Sequence, residues 1–568
     1  MPAPSITQDN DHIIFSNDYA IFTINKADGR CDSYTIESGS PAEENLVPSF
    51  SSGGLFAQYG TKEPFNLVEH NSINYFPGNN IDEGRLEVVF DTGVKMIIVC
   101  KAEPAYFLFE LINIDTSGAD GLLPEDIEMA IISQLILNGD DYGGFIGAVY
   151  KSGFVVSPVA LNVETQVFST EHTIAGVFTN RAQSFSGIQL LGMKIALLGC
   201  PKNLWLANMK TIAQTFGLPR PAINGIWDKE HPDINTSYLF VDLAKVNAFK
   251  VIKYAKKGGF KYVIPYNTTW SITNGSYEVN LDNFPTGLSD LQDVVTQVHS
   301  KGLKMGLHCM SFVVSKDSRE PLVKTPHPGL AKESPVQLDI DIDAVTTEIA
   351  INAQSFMEHS DAYSAYMAAN NEKEILIDDE IITVGLLDKG STPPKFTGCV
   401  RGQYGTIAAH HDAGAMIYHL PEIFNSFLAI FDSNLPDIIA QNFADTFNAI
   451  DGDMVFLDGS ECQKRLIPQT TGLLQEGIWY VTPFVAEKYR QKFQKGVIVQ
   501  GSGLSRDTNY SWHLYSRGNG GDYATIGVEG RMDHIRIGYY RDTLFASSFF
   551  PLELGWMALL AKTPSGCA

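Results

Sequence analysis

From about residue 237 the sequence settles into a rhythm that few folds accommodate: a helical stretch, a glycine, a short apolar run, a polar loop, repeated. Residues 248–258 read as a helix ending at Gly258-Gly259, and the apolar run 262–266 follows. Residues 288–301 read as a second helix with Gly302 at its C-terminal cap, ahead of the run 303–308. The unit returns at 435–450 leading into 454–458, and at 485–495 leading through Gly496 into 497–500, with 511–516 as a further strand. Such alternation marks parallel βα units, and at least five of them in one direction close most economically as a (β/α)8 barrel.

The chain before this point has a different grammar. Short β-type runs such as 12–15, 19–24, 85–90, 95–99, 105–114, 145–156 and 173–178 are cut by Gly, Asn and Asp, which predicts an antiparallel β-sandwich over 1–215. Only 203–215 reads as helical there. Between the third and fourth barrel units the rhythm breaks again, and hairpin-like alternation over 335–420 predicts a small β domain inserted in a barrel loop. The expected division is therefore a sandwich (1–215), a barrel (216–334 and 421–568) and an insert (335–420). Within the insert, 396–406 (Phe-Thr-Gly-Cys-Val-Arg-Gly-Gln-Tyr-Gly-Thr) is turn-rich.

Composition narrows the partners. With 41 Lys+Arg against 65 Asp+Glu the formal charge is -24, and no basic cluster exceeds the Lys256-Lys257 pair, which disfavours nucleic acid and anionic lipid. A neutral substrate or soluble partner fits better. Seven scattered cysteines without a CxxC pair argue against structural zinc or a disulfide scaffold, and their odd number leaves at least one free thiol. No stretch of about 18 apolar residues is present, so no membrane-spanning segment is expected. The first residues carry no secretory leader, and the expectation is an exported protein, secreted or periplasmic, whose leader is absent from this chain.

In a barrel, reactive groups project from the C-terminal strand ends. That rule selects Tyr266, Asn267 and Trp270 after the second strand, His308 after the third, Asp458 and Glu461 after the fourth, Asp507 after the fifth, and Tyr515, Arg517, Asn519 and Asp522 after the sixth. Carboxylates, aromatics and amides together suit a carbohydrate site, with rings to stack on sugars and carboxyl groups for acid, base or nucleophile work. Asp458 is the foremost candidate. Four apolar residues deliver it and Gly459 lets substrate approach, although Asp-Gly-Ser is also an ordinary turn. Glu461 either shares that site or caps the next helix. Arg517 sits in a glycine-rich loop with Asp522, where a guanidinium would hold carboxylates ionised or bind substrate, and Asp507 competes for the acid/base role. His308 serves a substrate hydroxyl or the fold; Trp270 and Trp512 are sugar platforms or core. His410-His411-Asp412 makes a poor chelate, because neighbours on a strand face opposite ways, and no metal or cofactor is expected.

This arrangement resembles the α-galactosidase-like retaining glycoside hydrolases. The resemblance is carried by the opening run Ile13-Phe15-Asn17, Phe22-Ile24, Gly29, by the helix-strand unit Asn283-Phe284-Pro285-Thr286-Gly287-Leu288 with Gly302-Leu303-Lys304-Met305-Gly306-Leu307, and by Phe456-Leu457-Asp458-Gly459 with Arg517 and Asp522. It implies a β-sandwich before a (β/α)8 barrel, Asp458 as nucleophile and Asp522 as acid/base. The chain departs from the family at Phe456, where a lysine is usual, and in its insert. Two other functions fit the same residues: a polysaccharide lyase on an acidic glycan, using Arg517, His308, Tyr515 or Tyr266, or a non-catalytic carbohydrate-binding protein, since 396–406 resembles small β domains of surface and tail proteins.

Overall fold

A computed structural model describes residues 3–36, 44–48, 54, 56–61, 67–68, 70–143, 146–368, 372–459, 478–501, 510–518 and 556–559. The chain divides into two compact units, one drawn mainly from Met1–Asn235 and the other mainly from Thr236–Leu466. Residues 510–518 belong to the first, and 485–501 and 556–559 to the second.

The first unit is built from antiparallel sheets of five, eight and five strands. Alternation sets their faces: Ala20–Asn25 buries every second residue, as does Glu83–Phe90 towards its end. The inward residues of all three sheets form one apolar core, centred on Phe15, Phe22, Phe56, Phe107 and Phe109. Phe56 and Phe109 meet edge to face at 4.9 Å. The helix expected near 203–215 spans Lys202–Thr215. Two sequence readings are corrected here. The run 145–156 holds two strands, Ala148–Lys151 and Phe154–Ala160, because Ser152 and Gly153 both take positive φ and turn the chain back on itself. The strand read at 173–178 begins only at Val177.

The second unit is organised by a parallel sheet. Its strands within this unit are β1 (Tyr238–Val241), β2 (Tyr262–Pro265), β3 (Lys304–Met310), β4 (Met454–Asp458), β5 (Ile498–Gly501) and β6 (Trp556–Leu559). Neighbours in sequence are neighbours in space from β1 to β5, all parallel, and β6 pairs with the free side of β1. Helices α1 (Ala248–Gly258), α2 (Leu288–Ser300) and α3 (Leu435–Ala449) precede β2, β3 and β4. Each buries one stripe, such as Leu291, Val294, Val295 and Val298 of α2. Gly259 and Gly302 follow α1 and α2 with φ of 74° and 75°, the left-handed geometry expected at a helix end.

The sheet is strongly curled. Strand spacing would separate β1 from β4 by about 14 Å in a flat sheet, and β1 from β5 by about 19 Å. Yet the rings of Phe240 and Phe456 lie 6.2 Å apart, and Gln500 Nε2 donates to the Tyr238 hydroxyl at 3.3 Å. The concave face is thus packed by side chains from non-adjacent strands.

The segment between β3 and β4 has its own core, including Val336, Ile349, Tyr363, Ile375, Phe396 and Ile417. It is not purely β. Ala353–Ala368 is a helix, whose first backbone N–H groups are capped by the Asn352 side chain at 3.1 Å. That Asn followed by an alanine-rich stretch was the overlooked signal. The turn-rich 396–406 segment supplies the insert's polar centre. Arg401 makes a two-pronged pair with Glu380 at 2.7 Å and donates to the Ala409 carbonyl, while His411 bridges Asp378 and Glu380. Burial alone would raise the Glu380 carboxyl, but Arg401, His411 and two backbone donors hold it below the ordinary carboxylate range. Among the described residues, no helix is long and apolar enough to cross a membrane.

Candidate active site

At the C-terminal end of the curled sheet, alternation aims successive side chains inward. Phe456 faces the interior, so Asp458, two residues on, leaves β4 on the same face. Its backbone is anchored first. Ser311, just past β3, donates both its N–H and its hydroxyl to the Asp458 carbonyl, each at 2.8 Å. The carboxylate is half-buried; Oδ1 accepts from the Gly459 N–H at 2.9 Å, and Oδ2 from His308 Nε2 at 3.0 Å.

His308, on β3, is almost wholly buried and held on all sides. The Asn267 backbone N–H donates to its Nδ1 at 3.2 Å, so the ring proton resides on Nε2 and points at Asp458. Tyr266 stacks on the ring with centroids 4.8 Å apart and planes at 16°, and Phe240 and Phe456 enclose it. Both donors to Asp458 orient the carboxylate. The neighbouring Cys309 is no rival nucleophile, because burial pushes its thiol up, and the Asp458 charge adds to that rise.

Trp270 is a correction to its reading as a binding residue. It is fully buried, stacks on Tyr277 at 5.6 Å and donates its indole N–H to the His308 carbonyl at 2.9 Å, so it supports the site from behind. Tyr266, half-buried, is the aromatic that borders it. Sequence reasoning passed over Asp242. It follows Tyr-Leu-Phe-Val of β1 just as Asp458 ends Met-Val-Phe-Leu-Asp, and its Oδ1 accepts from the Thr269 hydroxyl at 3.0 Å. The shared pattern of apolar residues then aspartate was the signal.

Tyr515 and Arg517 lie in the first unit. The strand expected over 511–516 is instead a helical turn, Ser511–Leu514, closed by the Tyr515 N–H on the Ser511 carbonyl, with a short strand at Arg517–Gly518. Both side chains are fully buried. Arg517 donates to the Ile234 carbonyl at 2.9 Å, and the Tyr515 carbonyl receives the buried Lys229, whose ammonium lies 4.9 Å from the Trp512 ring centre. Trp512 is accordingly core. Burial, with the Lys229 charge, holds the adjacent His513 imidazole down to about 3. Glu461, Asp507, Asn519 and Asp522 lie outside the described residues. No cluster of three or more His, Cys, Asp or Glu side chains among the described residues is placed to hold a metal ion. Cys31, Cys100, Cys200, Cys309 and Cys399 are free and buried.

A β unit of three antiparallel sheets, and a curled parallel sheet carrying a carboxylate at a strand end, define the class of architecture. No known family's sequence profile matches the chain, and no curated protein matches it. Among solved structures it is similar to the α-N-acetylgalactosaminidase NagBb of Bifidobacterium bifidum in complex with GalNAc, at 8% identity over 88% of this chain and 78% of that one, with a TM-score of 0.46. It is also similar to a variant of the GH36 α-galactosidase AgaA of Geobacillus stearothermophilus bound to 1-deoxygalactonojirimycin, at 10% identity over 94% and 77%, TM-score 0.43. The α-galactosidase of Lactobacillus brevis gives 10% identity over 96% and 76%, TM-score 0.39. Likeness at this level assigns no residue a role; the roles rest on the geometry around Asp458.

Proposed function

We propose that the chain is a retaining glycoside hydrolase acting on an oligo- or polysaccharide, with Asp458 as nucleophile and Asp522 as acid/base. The observation that carries this reading is the mounting of Asp458: a strand-end carboxylate fixed by the His308 ring and the Gly459 N–H and bordered by a half-buried tyrosine. Curling of the sheet, with β6 beside β1, supports closure as a (β/α)8 barrel, which would gather the strand-end residues at one mouth.

In this mechanism an Asp458 oxygen attacks the anomeric carbon as the glycosidic C–O bond breaks, and Asp522 gives its proton to the departing oxygen. Water then attacks the glycosyl ester while Asp522 takes a proton from it, releasing the sugar and restoring both carboxyl groups. His308 keeps Asp458 turned towards the sugar. Asp242 would accept a hydrogen bond from a substrate hydroxyl, as would Asp507 or Glu461.

The test is a panel of α- and β-linked aryl glycosides and natural oligosaccharides, with product anomers followed by NMR. Release of sugar with retained configuration, abolished in Asp458→Asn, is expected. Full activity in Asp458→Asn would remove Asp458 from the mechanism, and binding without turnover across oligosaccharides and polymers would favour a carbohydrate-binding protein.

A further inference from the structure

Charge is segregated along the second unit. Residues 243–277 contain six lysines and no acidic residue, whereas 333–372 contain eight acidic residues and no lysine or arginine. In a chain of net charge -24, the first is a conspicuous basic island.

Lys245 is taken by Asp290, Glu348 by Lys395, and Glu333 is buried, but most of the rest of each stretch displays exposed charge beside bare apolar side chains. On α1 the inward stripe is Ala248, Val251, Ile252 and Ala255. The outward face carries Phe249, 73% exposed, and Tyr254, among exposed Lys250, Lys253 and Lys257, with Val246 just ahead of the helix. On the insert, Met357 is 77% exposed beside Glu358 and Asp361 on the outer face of Ala353–Ala368. Earlier in the insert, a loop presents Val345, 79% exposed, with exposed Asp341 and Asp343. That loop is tied down by hydrogen bonds. Arg401 holds the Thr346 carbonyl at 3.2 Å, and Asp343 Oδ1 accepts from the Val345 N–H at 3.1 Å. An exposed aromatic-basic face and an exposed aliphatic-acidic face are complementary in both respects that matter at an interface, apolar contact at the centre and opposite charge around it.

We propose that the chain self-associates head to tail, the acidic face of one copy's insert docking on the basic α1 face of the next. Two different patches meet, so the contact is heterologous and propagates into a ring or a filament rather than stopping at a two-fold dimer. A second copy is the favoured occupant because each patch finds its complement on the same chain.

Sedimentation velocity on the full chain at micromolar concentration tests this. The wild type should be larger than one chain at low salt, and dissociate as salt screens the charges. Lys250→Glu with Lys253→Glu destroys one patch, and Glu358→Lys with Asp361→Lys the other; all four positions are exposed, and circular dichroism checks folding. Each variant alone should associate more than about 100-fold more weakly. An equimolar mixture keeps one intact patch of each kind and adds a doubly reversed pair, which is again complementary. Association is therefore expected to return on mixing. A wild type that stays monomeric at low salt, association unaffected by both reversals, or a mixture that remains monomeric would each overturn the proposal. The readout is mass, so it stands or falls independently of catalysis.

Discussion

His308 Nε2 donates to Asp458 Oδ2 at 3.0 Å while its Nδ1 accepts from the Asn267 backbone at 3.2 Å, so a single imidazole ties β2, β3 and β4 together at the sheet's C-terminal end. The bond fixes the direction of the carboxylate. It also requires one tautomer, set by a backbone group that no side-chain substitution removes.

Asp458→Asn keeps the shape and removes the nucleophilic oxygen charge. Hydrolysis should fall by roughly 10³-fold or more in kcat if Asp458 bonds to the sugar, a loss of about 4 kcal/mol or more in transition-state stabilisation. Steady-state kinetics on an aryl glycoside, with binding of product measured by calorimetry, separates loss of chemistry from loss of fold.

His308→Ala should lower kcat more than it raises KM, by about 10–100-fold, because the carboxylate loses its orientation and not its charge. The same change empties a buried space between Tyr266, Phe240 and Phe456, so urea unfolding should show a loss of about 2–4 kcal/mol. An unchanged kcat in a destabilised variant would confine His308 to packing.

Lys316 lies between Glu374 and Glu422, at 2.9 and 2.7 Å, with all three buried. Burial, then the hydrogen bond and charge of Glu374, push Glu422 up to about 9, so it is protonated at neutral pH. A raised carboxyl contributes stability that is complete below its unfolded value near 4.5 and is lost as pH climbs towards 9. Thermal melts between pH 6 and 10 should therefore decline, by up to about 1 kcal/mol per pH unit from this group. Glu422→Gln, permanently neutral, should flatten that slope.

Arg401→Ala strands Glu380 in the insert's interior. Loss of one partner from a buried pair costs about 3–5 kcal/mol, and hydrogen exchange should rise across 336–419 while the parallel sheet stays protected.

The periodic part of this protein was legible in its residues. Apolar spacing and terminal glycines placed α1, α2 and α3 and the strands β2 to β4, because a buried stripe and a left-handed cap are local requirements. Asp458 was legible for the same reason, as a carboxylate ending an apolar run. Local reasoning went astray where tertiary partners overrode it. The segment 511–516 looks like a strand and is a helical turn, and Trp270 looks like a sugar platform and is core, its indole N–H taken by the His308 carbonyl. The chain by itself determines which segments are helix, strand and turn, and which carboxylates end a strand. Only the tertiary structure decides that His308 turns towards Asp458, that Phe240 meets Phe456 across two intervening strands, and that Arg401 is spent on Glu380. The physical reason is that those relations depend on the curl of the sheet and on burial, which bring together residues as far apart in sequence as Phe240 and Phe456 that no local pattern can pair.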